Sequence, residues 1–238
     1  MKTAISLNNS SIRLFHCHIY NHDYLWFSSF EISKVSTTLP VIHNYALSYS
    51  MGDFSYASYS GSTPNYEEDL KSMRLYCTPG YAEYFSMSKI TYNAINDKTL
   101  RTDDAVKGLN TPKLGWRNYI NPVVEDNNSK LSNGFKFYLF TYDGSLPKGV
   151  TRLGKKGCAM RITWYEIQNP LAIFKESQVR PGHTINPLDI SGNVISYDPL
   201  IIPPHLLFRT AEICNDWFIF AGKDVVHLPG RVKEKCNI

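Results

Sequence analysis

Between Pro147 and Arg161 the chain reads Pro-Lys-Gly-Val-Thr-Arg-Leu-Gly-Lys-Lys-Gly-Cys-Ala-Met-Arg, with three glycines and five cations in one short run. A strand-like aromatic run, Phe135 to Tyr142, precedes it, and a second strand pattern, Ala159 to Ile167, follows it. Glycine lets a backbone turn tightly and approach a ligand closely. Arg152, Lys155, Lys156 and Arg161 put positive charge at that point of approach. A basic, glycine-punctuated turn between strands suits a phosphate backbone. The same composition also fits an ordinary surface hairpin with solvated lysines.

The rest of the chain is read around this hairpin. Residues 12–20 alternate as a strand, with Phe15, Cys17 and Ile19 on one face and Leu14, His16 and His18 on the other. Tyr24 to Phe30 is extended and aromatic. Thr37-Thr38-Leu39-Pro40 reads as a helix start, with Val41, Ile42, Tyr45, Ala46 and Tyr49 at helical spacing and Gly52 at the end. A second helix follows Pro64, acidic at Glu67, Glu68 and Asp69, basic at Lys71 and Arg74, and stopped by Thr78-Pro79-Gly80. Ser86 to Ile95 suits a strand. Residues 96–133 are a long polar insertion that carries Arg101, Lys107, Lys113 and Arg117 with Trp116 and Tyr119. Such long, weakly structured insertions are usually functional or disordered. In the Ala159–Ile167 strand, Met160, Ile162 and Trp164 share one face, and Arg161, Thr163 and Tyr165 share the other. The tail, 168–238, has one clear strand, Trp217 to Ala221, among many prolines. Interspersed strands and helices of this kind predict an α+β, ferredoxin-like (RRM-like) core over 1–167, with an inserted thumb at about 96–133 and a small, mostly β extension over 168–238.

A length of 238 residues, 43% hydrophobic content and 19% charged residues predict a folded globular protein with a sizeable core. The net charge of +4 is compatible with nucleic acid without requiring it. Five widely spaced cysteines without a CxxC read as reduced thiols of a cytoplasmic protein. No signal-peptide pattern, membrane-length apolar run or internal repeat is expected.

Three blocks carry a resemblance. They are Thr38-Leu39-Pro40-Val41-Ile42-His43-Asn44-Tyr45-Ala46-Leu47-Ser48-Tyr49, then Tyr76-Cys77-Thr78-Pro79, then Arg152-Leu153-Gly154-Lys155-Lys156. In order and spacing they resemble the Csc-one type subunit, the Cas-five equivalent, of type I-D CRISPR Cascade, over roughly residues 11–167. The resemblance implies a repeat-associated RNA-binding fold that holds the 5′ handle of a CRISPR RNA in an antiviral ribonucleoprotein complex. It further implies a thumb against the backbone subunit, docking of the large subunit, and possible approach to target DNA near the protospacer-adjacent motif. The family's glycine-rich loop falls on Arg152 to Gly157.

On this reading Arg152, Gly154, Lys155, Lys156, Gly157 and Arg161 form the first RNA-backbone site. Lys113, Trp116 and Arg117 form a second, with an indole able to stack on a splayed base between cations. Asn44 lies opposite the apolar side of the first helix, where it could meet a base edge or a partner. Tyr45 reads as core. His16 and His18 project together but have no third ligand nearby, so no metal is expected. No P-loop, G-x-S-x-G or H-E-x-x-H motif occurs, and no cofactor or catalytic residue is expected. The rival activity is a metal-independent ribonuclease using groups such as His22, His43, Tyr20 or Tyr24. A pure protein-interaction module with the basic loop facing an acidic partner is the other alternative.

Overall fold

In the computed structural model the chain runs β1 (Ile5–Ser6), β2 (Arg13–Asn21), β3 (Phe30–Ile32), β4 (Val35–Thr37), β5 (Val41–Ile42), α1 (Asn44–Met51), α2 (Tyr66–Ser72), β6 (Leu75–Cys77), β7 (Gly80–Tyr81), β8 (Met87–Ala94) and β9 (Lys113–Ile120). It continues as β10 (Phe135–Thr141), β11 (Val150–Leu153), β12 (Cys158–Glu166), β13 (Leu171–Val179), β14 (Val194–Leu200), β15 (Leu207–Ile219), β16 (Val225–His227) and α3 (Gly230–Cys236). The described residues are 5–6, 11–32, 35–52, 64–94, 113–122, 134–155, 157–168, 170–219 and 225–236. The architecture is α+β, mostly strand with few helices.

The main sheet has the order β11-β12-β2-β10-β7-β5, with β6 also on β10. Its neighbours run antiparallel throughout. Strict alternation along β2, β10 and β12 sends Phe15, Cys17, Ile19, Phe135, Phe137, Leu139, Met160 and Ile162 to one side. Helix α1 closes that side with Leu47 and Met51. The Ser48 hydroxyl accepts from the Cys77 amide at 3.2 Å and ties the helix to β6.

The first helix starts later than its sequence pattern predicts. Val41 and Ile42 form an edge strand on Gly80–Tyr81. His43, not Thr38, is the N-cap, its ring accepting from the Tyr45 amide. Thr38 instead receives the Phe27 amide at 3.1 Å and donates to the Phe27 carbonyl at 2.8 Å. Two apolar residues before a cap satisfy helical spacing and edge-strand pairing equally well, so periodicity could not separate them. Helix α2 ends at Ser72, and Thr78-Pro79 then joins β6 to β7.

The insertion is more regular than its polar composition suggests. Strand β9 pairs antiparallel with β8 from Met87↔Ile120 to Ala94↔Lys113. β4 joins β9 in parallel and β3 joins β4, giving a four-stranded arm. Residues 96–112 and 123–133 of the expected thumb lie outside the described residues.

The tail forms its own sheet, β1-β13-β15-β14 with β16 on β15, so the N-terminal strand belongs to it. It also covers part of the second side of the main sheet: Phe218, Val226, Leu228 and Val232 pack on Leu14, Tyr76, Tyr138 and Phe140. A buried polar network locks this junction. The Tyr76 hydroxyl donates to the Asp189 carboxylate. Arg231 binds Asp189 at 2.7 Å and Glu67 at 2.7 Å.

Candidate nucleic-acid interface

The basic turn is held on the loop that follows β2. Gly154 has φ +81°, and a Cβ there would lie 2.9 Å from the Trp26 carbonyl oxygen and 3.0 Å from Leu25 Cδ1. Only glycine fits that approach. The Lys155 amide donates to the same Trp26 carbonyl at 3.0 Å. Gly157, at φ +63°, donates its amide to the Gly154 carbonyl at 3.0 Å and closes the turn. Lys148 donates to the Gly52 carbonyl at 2.8 Å and Thr151 to the Ser50 carbonyl at 2.8 Å. The loop thereby satisfies the C-terminal carbonyls of α1, where a cation also meets the negative end of the helix dipole.

This docking brings Lys155 Nζ to 5.0 Å from the centre of the Trp26 indole. From the arm, Arg117 Cζ comes to 3.8 Å from the same ring. Leu25 sets the position of Trp26 by exchanging both backbone hydrogen bonds with Ile120, at 3.0 and 2.9 Å. One cation from each sequence-predicted basic group, Lys155 from the turn and Arg117 from the arm, thus meets on one buried indole. Cation–π attraction holds each cation in place. Lys155 has no ion pair among the described residues. Trp116 lies elsewhere on the arm, under Lys89 Nζ at 5.2 Å. Lys156 and the side chain of Lys113 lie outside the described residues.

Beside Lys155 opens a cavity of about 430 Å³, walled by Phe27, His43, Tyr45, Tyr66 and the Ile202–Pro204 segment. Tyr45 and Tyr66 stack at 4.6 Å and 6°. Burial, with His205 close by, lowers the His43 pKa to about 3, so its ring is neutral at physiological pH. The aromatic walls and the lysine at the mouth have the shape and polarity that stacking on a base and pairing with its phosphate require.

Arg152 and Arg161 do not share this site. Leu153 and Met160 turn into the helix-side core, so pleating sends Arg152 and Arg161 out of the opposite face. Arg152 donates to the Gly157 carbonyl at 2.9 Å. Asn44 is fully buried. It donates to the Tyr76 hydroxyl at 3.4 Å and accepts from Asn186 at 3.2 Å. Its amide is engaged within the protein and has no edge left for a base, because the helix face opposite Tyr45 is covered by the tail.

Trp26 is the residue that sequence reading did not single out. Its only signal was an aromatic in an extended stretch. Nothing in spacing links it to Lys155, which lies far along the chain.

The fold and its basic junction define a strand-rich α+β protein with a glycine-built cationic turn. A family model described as type I-D CRISPR-associated protein Cas5/Csc1 matches residues 12–235, and the chain belongs to that family. The match takes in nearly all of the tail, well beyond the segment in which the sequence resemblance is legible. No curated protein matches the chain. Among the described residues, no helix is long and apolar enough to cross a membrane.

Proposed function

We propose that this chain is a non-catalytic, RNA-binding subunit of a type I-D surveillance complex in the cytoplasm, and that it caps the 5′ handle of the CRISPR RNA at the Trp26 junction. One observation carries this reading: Lys155 from the glycine turn and Arg117 from the arm converge on a single indole beside an aromatic-walled cavity. Charge without an acid–base pair suits holding a phosphate backbone. Family membership supports the place in the complex. The sheet order β12-β2-β10-β6, antiparallel throughout, supports a ferredoxin-like ancestry, with the edge strand β11 falling between β10 and β12 in chain order, where that fold has its second helix. The arm bears exposed Phe30, Ile32, Met87 and Ile90, which suit packing against the neighbouring backbone subunit. Docking of the large subunit and approach to target DNA are the further parts of this reading, carried by the family resemblance alone.

The ribonuclease reading ranks second. The His43 pKa is lowered to about 3, and burial and Glu67 push the Tyr45 phenol above its ordinary value, so neither is poised for proton transfer at neutral pH. A gel shift of the full chain with repeat RNA, carrying or lacking the handle and in EDTA, tests both readings. Handle-dependent binding of intact RNA is expected. Discrete cleavage, or binding indifferent to the handle, overturns the assignment.

A further inference from the structure

The face of the main sheet turned away from α1 bears a second basic and aromatic surface. Cross-strand pairing places Tyr20 beside Arg161, His18 between Thr163 and Lys136, and His16 between Tyr165 and Tyr138. The tail covers only the Leu14–Phe140 end of this face. Where the cover stops, a cleft of about 580 Å³ opens between the sheet and the tail. Its walls include His16, Lys136 and Tyr138 from the sheet, with Arg180, His183 and Arg209 from the tail.

The rings form a continuous stack. His16 lies on Tyr138 at 4.9 Å and 19°, and Tyr138 meets His183 edge-on at 5.3 Å. The Tyr165 hydroxyl engages His16 Nδ1. His183 Nδ1 faces the Thr184 carbonyl at 2.9 Å. A carbonyl only accepts, so Nδ1 carries the proton and Nε2 accepts from His227 Nδ1 at 3.2 Å. Burial lowers the His183 pKa to about 4, and burial and Lys136 lower that of His18. The His18 and His183 imidazoles therefore act as neutral aromatic surface. Beyond His18 the row continues to Tyr20, stacked at 6.4 Å and 29°. Gly134 makes room for it, since a Cβ there would lie 2.9 Å from Tyr20 Cε1.

The charge comes from other groups. Lys136 stands 4.0 Å from Glu83, and Arg209 stands 3.3 Å from Asp198. Arg180 is exposed and has no ion-pair partner among the described residues. Arg161 is likewise exposed at the far end of the row. An acidic peptide would use the cations but not the ring stack, and an apolar ligand would use the rings but not the cations. A single strand of nucleic acid uses both, through base stacking and phosphate contact.

We infer that this cleft and the open row beside it bind a short single-stranded nucleic acid, distinct from the strand at Trp26. One base packs on the half-buried His16 ring that lies on Tyr138. Its flanking phosphates lie on Arg180 and Lys136, and the strand runs toward Arg161. The inference stands on this face alone and survives if the Trp26 junction proves not to hold the handle.

The test is fluorescence anisotropy of the full chain with labelled single-stranded DNA and RNA of one handle-free sequence, with and without excess unlabelled handle RNA. Arg180→Glu is expected to weaken oligonucleotide binding about tenfold or more and to leave handle-RNA affinity unchanged. Lys155→Glu is expected to do the reverse. His16→Ala is expected to weaken oligonucleotide binding by removing one ring of the stack. Because Arg180 is exposed, its variant is expected to melt with the parent, which keeps the result interpretable. Tighter DNA or tighter RNA each supports the cleft and names the strand. Full displacement of the oligonucleotide by handle RNA, or unchanged affinity in Arg180→Glu, overturns the inference.

Discussion

The two faces of the main sheet use the same three strands for opposite ends. Toward α1, β2, β10 and β12 present Phe15, Cys17, Phe137, Leu139 and Met160, all fully buried. Away from it, the alternate positions of those strands carry histidine, tyrosine, lysine and arginine, and the tail hides only one end. Period-two alternation makes the division possible, because each residue commits to one side. The difference teaches that the first face supplies cohesion and the second is kept chemically varied and partly open. The tail marks where packing stops and exposed chemistry begins.

Truncations should separate the faces first. Phe137→Ala removes a fully buried ring and is expected to cost about 3–5 kcal/mol in urea denaturation. Tyr165→Ala, on the open face and 56% exposed, is expected to cost under about 1 kcal/mol. Equal losses would break the contrast. Asp189→Ala comes next. It leaves Arg231 and Tyr76 without their buried partner, and a loss of about 3 kcal/mol is expected, read as an earlier unfolding midpoint.

Acid probes the same boundary. Burial lowers His183 from 6.5 to about 4 and His43 from 6.5 to about 3. The unfolded chain binds their protons first as pH falls. Their stabilising share is therefore complete above pH 6.5 and declines down to about 3–4. The expected slope is about 1.4 kcal/mol per pH unit for each ring within its window. Melting at stepped pH should show His183→Asn with a shallower decline than the parent; an identical decline would remove His183 from the account. Smaller still, Gly154→Ala adds a Cβ at 2.9 Å from a carbonyl oxygen and a left-handed strain, together about 1–2 kcal/mol, with weaker RNA binding because Lys155 shifts. Arg161→Ser is expected to change stability by less than about 0.5 kcal/mol.

Much of the first face was legible in the sequence. The alternation of Phe15, Cys17 and Ile19, and of Met160, Ile162 and Trp164, needs only the pleat to be read. Helix α2 was legible from Pro64 and the acidic turn Glu67–Asp69. Three things were not. Val41-Ile42 fits both a helix and an edge strand, and the pairing with Gly80–Tyr81 that decides it is not local. Lys113–Ile120 looked irregular because Gly115 and its polar neighbours hide a strand whose order comes from β8 and β4. Asn44 looked available because nothing local announces that Asn186 and Tyr76 will occupy it. The glycines and cations of the turn were visible. Their division between two faces, with Lys155 on Trp26 and Arg161 beside Tyr20, required the tertiary fold.

The most direct test of the central claim is the salt dependence of 5′-handle RNA affinity for the parent chain, Lys155→Glu and Arg161→Ser. The account predicts that Lys155→Glu lowers affinity at least about tenfold and flattens the dependence on salt, while Arg161→Ser leaves both nearly unchanged. An unchanged affinity and slope in Lys155→Glu would contradict the placement of the handle at Trp26.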